Sequence, residues 1–146
     1  MSIPRDFQID PKKKEMVIEL VESEQSPFYS GHRKGAANQR NVLLHGMSLA
    51  FRDNAKKSFK GGYSVFQNSI LQDEEKALIT AIALSELGLD ALLPENHKKA
   101  YKLAEEYANG GIDIVYNMVF KSGHGDSLLN FETEIAETLE KYTSSK

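Results

Sequence analysis

The chain has 146 residues, 40% hydrophobic and 27% charged, with a net charge of −3 and no cysteine. That length suits one domain around one core, and the composition excludes a disordered or membrane-embedded chain. Without thiols, disulfide frameworks, thiolate zinc sites and iron–sulfur clusters are excluded as well.

The charge is unevenly spread. Residues 1–60 carry 11 Lys/Arg against 7 acids, and residues 61–146 carry 7 against 14. The halves are therefore +4 and −7, which fits either a basic face for phosphate or an internal match between the halves. No apolar run approaches the roughly 18 residues of a spanning helix. The opening Met-Ser-Ile-Pro-Arg has no signal-peptide core, so the cytoplasm is the expected compartment and no membrane partner is expected.

In chain order, Arg5–Ile9 alternates, with Phe7 and Ile9 on one face, and predicts a short strand. Asp10-Pro11 is a helix start, an acid at the N-cap and proline at the first position. The helix should run to Val21 or Glu22 and bury Met16, Val17, Leu20 and Val21. Lys12, Lys13 and Lys14 fall in its first turn, where the helix dipole disfavours cations. A solvated turn accounts for them, and so would a phosphate partner.

Ser26–Asn38 reads as a long loop, and Gly31 and Gly35 bracket His32, Arg33 and Lys34. Backbone amides beside such cations can hold a phosphate. The glycine spacing is not that of a P-loop, and a solvated loop is the simpler reading.

Gln39–Asn54 is the organising stretch. From Val42 to Phe51 only His45, Gly46 and Ser48 interrupt the apolar run, too wide for the single stripe of a surface helix. The spacing predicts a helix buried on most sides. Arg40 stands before it, and Arg52, Lys56, Lys57 and Lys60 come after.

Tyr63–Ile70 allows a short strand or an extended connection. Leu71–Leu87 predicts a mostly buried helix through Ala77, Leu78, Ala81, Ile82 and Leu84, with Gly88 as its stop. Pro94 opens a helix to Ala108 with Ala100, Leu103, Ala104 and Tyr107 inside. Asn109-Gly110-Gly111 is expected to end or sharply break it, and helical spacing resumes over Ile112–Phe120. Ser122–Gly125 is a loop. Asp126 caps a last helix with Leu128, Phe131, Ile135, Leu139 and Tyr142 on one stripe, and Thr143–Lys146 should fray. The expected fold is mainly α: one domain of about five helices with a short N-terminal strand and a candidate second strand near 63–70.

No catalytic motif emerges. His32, His45, His97 and His124 make no helical ligand pair, so no metal or other cofactor is expected. A histidine such as His45 within an apolar helix is more often a satisfied core residue than a ligand. Ser48 one turn on could pair with it, but a helix-interior serine usually bonds its own backbone. His124 and Asp126 read as a solvated histidine and a cap. Glu105 and Glu106 are adjacent, so they splay apart on a helix and form no glycosidase-type pair. The chain is expected to be no enzyme.

A family resemblance adds to this reading. Arg5 and Ile9, the helix ending Glu19–Glu22, Phe28, the buried helix ending at Phe51, Gly61-Gly62, Phe66 and Leu84–Glu86 carry it. Most distinctive is Glu105-Glu-Tyr-Ala-Asn-Gly-Gly-Ile112. Over roughly residues 5–120 the chain resembles the family named Dnd system-associated protein 4. Members of that family accompany genes that replace a DNA backbone oxygen with sulfur and restrict unmodified DNA, a defence against phage. The resemblance implies an accessory role and transfers no catalytic residues. The chain departs from the family pattern at Ser26–Asn38, which looks like an insertion, and at Leu44–Met47.

Two roles compete. In the first, Lys12, Lys13, Lys14, His32, Arg33, Lys34, Arg40, Arg52, Lys56, Lys57 and Lys60 contact DNA phosphates without reading bases. The strand-then-helices order is similar to ribbon–helix–helix proteins, whose paired strands come from a homodimer. The outward strand face offers only Asp6 and Gln8. In the second, the acidic half and the 126–142 helix dock on other defence-system proteins, without DNA.

Overall fold

The computed structural model describes residues 3–29 and 36–121. In chain order these form β1 (Asp6–Ile9), α1 (Lys14–Glu22), α2 (Ala36–Asp53), β2 (Tyr63–Gln67), α3 (Asp73–Leu87) and α4 (His97–Phe120). The mainly α architecture with a short N-terminal strand is as expected, and the second strand forms at 63–67. The expected helix at 126–142, the loop at 122–125 and the fraying tail lie outside the described residues.

β1 and β2 pair antiparallel. Asp6 faces Gln67 and Phe7 faces Phe66, but Gln8 faces Ser64, so Val65 is the extra residue of a bulge. Phe7 and Ile9 are wholly buried, as the alternation predicts. The Phe7 and Phe66 rings stack across the pair, centroids 4.9 Å apart. Asp10 caps the turn after β1: its carboxylate accepts the Lys12 N–H at 2.9 Å. That turn, Pro11–Lys13, is 3₁₀, and α1 proper begins at Lys14. Val17, Leu20 and Val21 face the core, with Met16 half-buried.

α2 is the centre of the domain. Val42, Leu43, Met47, Leu49 and Ala50 are fully buried, with Leu44 and Ser48 nearly so. Residues on every side of this helix are covered, as its apolar width requires. Its main partner is α4, and the crossing explains two glycine positions. A Cβ on Gly46 would lie 2.9 Å from the Gly111 carbonyl carbon, and one on Gly111 would overlap the Gly46 carbonyl oxygen. A Cβ on Gly110 would overlap the Ala55 carbonyl oxygen. The two backbones touch where only hydrogen can stand between them.

That contact corrects the expected break. α4 runs unbroken from His97 to Phe120 through Asn109-Gly110-Gly111. Glycine lowers helix propensity by about 1 kcal/mol per residue, which close packing of this segment offsets. From Tyr107 to Ile112 every residue is buried.

α3 departs from expectation too. Its buried residues are Ile79, Ile82 and Ala83; Ala77 is exposed, and Leu78, Ala81 and Leu84 are half-buried. The helix lies on the outside of the α2–α4 pair and presents one narrow stripe inward. The Glu75 carboxylate accepts the Gln72 N–H at 2.8 Å at its start, and Gly88 stops it at φ +66°.

Candidate nucleic-acid interface

The structure splits the predicted cations into two groups. Lys13 and Lys57, far apart in sequence, converge: both ammonium groups lie 2.5 Å from Oδ2 of Asp113 on α4. Burial pushes the Asp113 carboxyl up, but the hydrogen bonds from Lys13 and Lys57 outweigh it and hold the group below its ordinary value. One carboxylate between two lysines leaves an excess positive charge. Lys12 and Lys14 flank Lys13 and are exposed. The Lys14 ammonium stands 5.2 Å from the centre of the Tyr63 ring. Lys60 is exposed. The next residue, Gly61, lies beside the Pro11 ring, since a Cβ there would be 3.9 Å from Pro11 Cγ. Lys12, Lys13, Lys14, Lys57 and Lys60 therefore share one region, with Asp10 and Asp113 as nearby acids.

The other cations are matched elsewhere. Arg40 pairs with Glu75 at 3.5 Å and donates to the Ile70 carbonyl. Arg52 pairs with its neighbour Asp53 at 2.7 Å. Lys56 lies 3.3 Å from Glu86 and over the Tyr107 ring. Each of these three is paired with an acid of its own. His32, Arg33 and Lys34 lie outside the described residues.

Sequence reasoning missed how α4 holds this region in place. The ladder to β2 uses one edge of β1; the Gln8 and Asp10 amides point the other way, to α4. Glu105 Oε2 accepts the Gln8 N–H at 2.8 Å, and Asn109 Oδ1 accepts the Asp10 N–H at 3.1 Å. Four residues of helix rise about 6 Å and two of strand about 6.7 Å, so residues i and i+4 of α4 match amides i and i+2 of β1. The edge that would otherwise be open is closed by side chains. Asn109 also donates to the Lys57 carbonyl at 3.2 Å, and the Lys57 N–H donates to the Glu106 carbonyl at 3.0 Å. The lysine-bearing strand end and loop are thus bonded to the same two turns of α4.

Glu105 is 7% exposed. Burial pushes its carboxyl up to about 7, against the Gln8 N–H and the Lys102 charge, with Glu106 adding to the rise. Tyr107, two residues on, donates to the Glu86 carboxylate, and burial with that carboxylate pushes the phenol up to about 12. The sequence signal was present in the pattern Glu-x-x-x-Asn followed by two glycines, but its partners lie almost a hundred residues away.

Of the histidine and serine of α2, Ser48 is buried and His45 half-buried. Ser48 Oγ donates to its own helix, to the Leu44 carbonyl at 3.1 Å. His45 packs on the Phe28 ring at 5.4 Å, and burial lowers its pKa. Among the described residues no group of three or more His, Asp or Glu could hold a metal ion. Nor is any described helix long and apolar enough to cross a membrane. No protein-family model matches the chain, and neither a curated protein nor a solved structure does.

Proposed function

We propose that this chain is a non-enzymatic accessory of a DNA phosphorothioation-linked phage-defence system and that it contacts nucleic-acid phosphates through Lys12, Lys13, Lys14, Lys57 and Lys60. The defence setting rests on the family resemblance of residues 5–120. The phosphate contact rests on one observation: Lys13 and Lys57 share the single carboxylate of Asp113. Phosphate oxygens can complete the coordination that one carboxylate leaves unfinished. Such contacts fix no sequence, and they weaken as salt rises, by a log–log slope of about 0.9 per phosphate neutralised.

Fluorescence polarisation with a labelled duplex, titrated in salt, tests this. The wild-type chain should bind at low salt with a steep salt dependence. Lys12→Ala/Lys14→Ala/Lys60→Ala should bind more weakly and with a slope shallower by up to about 3. An unchanged affinity and slope would remove the lysine surface from the reading.

A second reading is favoured by a different surface. Leu89, Leu92 and Leu93 are 79%, 56% and 43% exposed. Three leucines this open are what an adaptor docking on another defence protein would present. Co-purification with neighbouring gene products, with no duplex binding at low salt, would select it.

A further inference from the structure

Three alanines border a cavity between α3 and α4. Ala83, Ala91 and Ala100 form a small apolar cluster separate from the main core. All three line a cavity of about 220 Å³, with Ile79 and Leu92 as further apolar walls. Side chains this small leave space that larger ones would fill. An apolar cavity of about 150 Å³ already holds a benzene ring. This one has room for such a body and a small head group besides.

The polar groups of the lining are uncommitted. Lys76 lines the cavity from α3 and makes no ion pair among the described residues. His97 and Tyr101 line it from α4, four apart and so on one face of that helix. The buried Nδ1 of His97 has no hydrogen-bond partner, although buried polar atoms usually find one. Tyr101 is 6% exposed, and its hydroxyl makes no hydrogen bond among the described residues. Burial pushes its phenol up, so the hydroxyl stays protonated and can donate. α4 begins at His97, and the positive end of its dipole adds to these donors. No aspartate or glutamate is in the lining, in a chain of net charge −3. A neighbouring cavity of about 270 Å³ shares Lys76, adds Arg5, and has no acid in its lining either.

We propose that this cavity binds a small carboxylic acid with an apolar body, either an aryl acid or a short-chain one. Its carboxylate meets Lys76, His97 and Tyr101, and its body lies against Ile79, Ala83 and Ala100. Apolar walls with a few polar groups on facing elements are the usual make-up of a small-ligand site. One ammonium, one phenol and one imidazole offer three donors and a single full charge. That set suits a monoanion with two oxygens better than a phosphate dianion. Charge-assisted hydrogen bonds of this kind are about twice as strong as neutral ones.

The site is separate from the lysine surface, because none of Lys12, Lys13, Lys14, Lys57 and Lys60 lines the cavity. Its occupant therefore does not compete for the groups proposed to meet phosphate. The cavity lies instead where α3, the turn carrying Leu92 and the start of α4 meet. A bound acid would tie these three elements together through Lys76 on one side and His97 and Tyr101 on the other.

Titration of the ¹⁵N-labelled full chain with phenylacetate, followed by amide chemical shifts, tests this, with phenylacetamide as the neutral match. Phenylacetate should shift the Thr80, Ala83, Ala100 and Tyr101 amides saturably. Phenylacetamide should bind about tenfold or more weakly, as the loss of one charged hydrogen bond requires. Lys76→Met keeps the apolar stem and removes the charge. It should weaken phenylacetate to the level of the amide and leave the amide's own affinity unchanged. Thr80→Glu, at an exposed position one turn from Lys76, should weaken phenylacetate likewise by claiming the ammonium. Equal affinity for acid and amide would overturn the proposal, as would phenylacetate binding unchanged in both variants. Shifts confined to residues 12–14 and 57–60 would assign the acid to the lysine surface and overturn it too. So would the absence of any saturable shift.

Discussion

Replacing Glu105 by glutamine should stabilise the protein above neutral pH. In the folded chain the Glu105 carboxyl titrates at about 7 against an ordinary 4.5. Its folded-state pKa is raised, so folding favours the protonated form. The group therefore costs nothing below about pH 4.5. As pH rises from there to about 7 the folded state must hold a proton that the unfolded chain releases, and stability falls. Above 7 the loss is complete and constant. At about 1.4 kcal/mol per unit, the full loss is about 3 kcal/mol. Glutamine keeps an oxygen for the Gln8 N–H and carries no charge, so it removes the pH-dependent part. Its added amide N–H₂ needs a partner, which reduces the gain to about 1–3 kcal/mol. Urea unfolding followed by far-UV circular dichroism at pH 5, 7 and 8.5 measures this. The wild-type midpoint should fall across that range, and the Glu105→Gln midpoint should change less, with the two closest at pH 5. Alanine is the control: it also removes the charge but leaves the Gln8 amide without an acceptor, so it should be about 1–3 kcal/mol less stable than Glu105→Gln at every pH. Parallel wild-type and Glu105→Gln midpoints from pH 5 to 8.5 would refute the assignment of a strained, buried carboxylate.

The remaining predictions address packing, charge and the phenol. Gly111→Ala should prevent folding or cost more than about 3 kcal/mol, because its Cβ overlaps the Gly46 carbonyl oxygen and neither helix backbone can retreat without opening the core; a soluble, fully cooperative variant by thermal melting would contradict the crossing. Asp113→Asn frees Lys13 and Lys57 from their shared carboxylate and should tighten duplex binding at low salt while lowering stability at neutral pH. Because the Asp113 carboxyl sits below its ordinary 3.8, its stabilising effect is present at neutral pH and is lost as pH falls through the lowered folded value; weaker duplex binding by Asp113→Asn would count against the lysine surface. Tyr107→Phe removes the hydrogen bond to Glu86 and should cost about 1 kcal/mol, read by the same urea titration at pH 7, and a variant as stable as wild type would show that bond to be dispensable.

What the sequence disclosed depended on how local the cause was. The Phe7/Ile9 alternation, the Asp10-Pro11 start and the wide apolar run of α2 are set by neighbours; the first and last appear where the pattern puts them, while at Asp10-Pro11 a 3₁₀ turn precedes α1. The continuity of α4 is not local. Asn109-Gly110-Gly111 reads as a break because paired glycines favour turns, and only the Gly46 backbone across the crossing shows why they stay helical. α3 misled for a related reason: alanines such as Ala77 count as apolar in a pattern yet bury little area, so they can face solvent at small cost. The cation distribution was visible as composition, but its division was not. Arg40 and Lys56 find acids by tertiary proximity and Arg52 finds its neighbour Asp53, whereas among the described residues Lys13 and Lys57 find only Asp113 between them.

The Glu-Tyr-Ala-Asn-Gly-Gly segment, which carries the family resemblance most strongly, has a physical account that needs no ligand. Glu105 and Asn109 close the free edge of β1, Tyr107 reaches Glu86, and Gly110 and Gly111 admit the backbones of Ala55 and Gly46. Every one of these roles holds another element against α4: the N-terminal strand, the 55–57 loop, α2 at Gly46 and α3 at Glu86. These roles are structural, so the segment says little about what the fold contacts. Function is then to be sought in residues the scaffold leaves uncommitted. Two such sets stand out on the described surface: the lysines around Asp113 and the leucines of the α3–α4 turn. They require opposite partners, a polyanion for one and an apolar face for the other. A variant lacking Lys12, Lys14 and Lys60 and a variant lacking Leu89 and Leu92 should therefore lose different interactions, and loss of the same one from both would mean that the two surfaces act as a single interface.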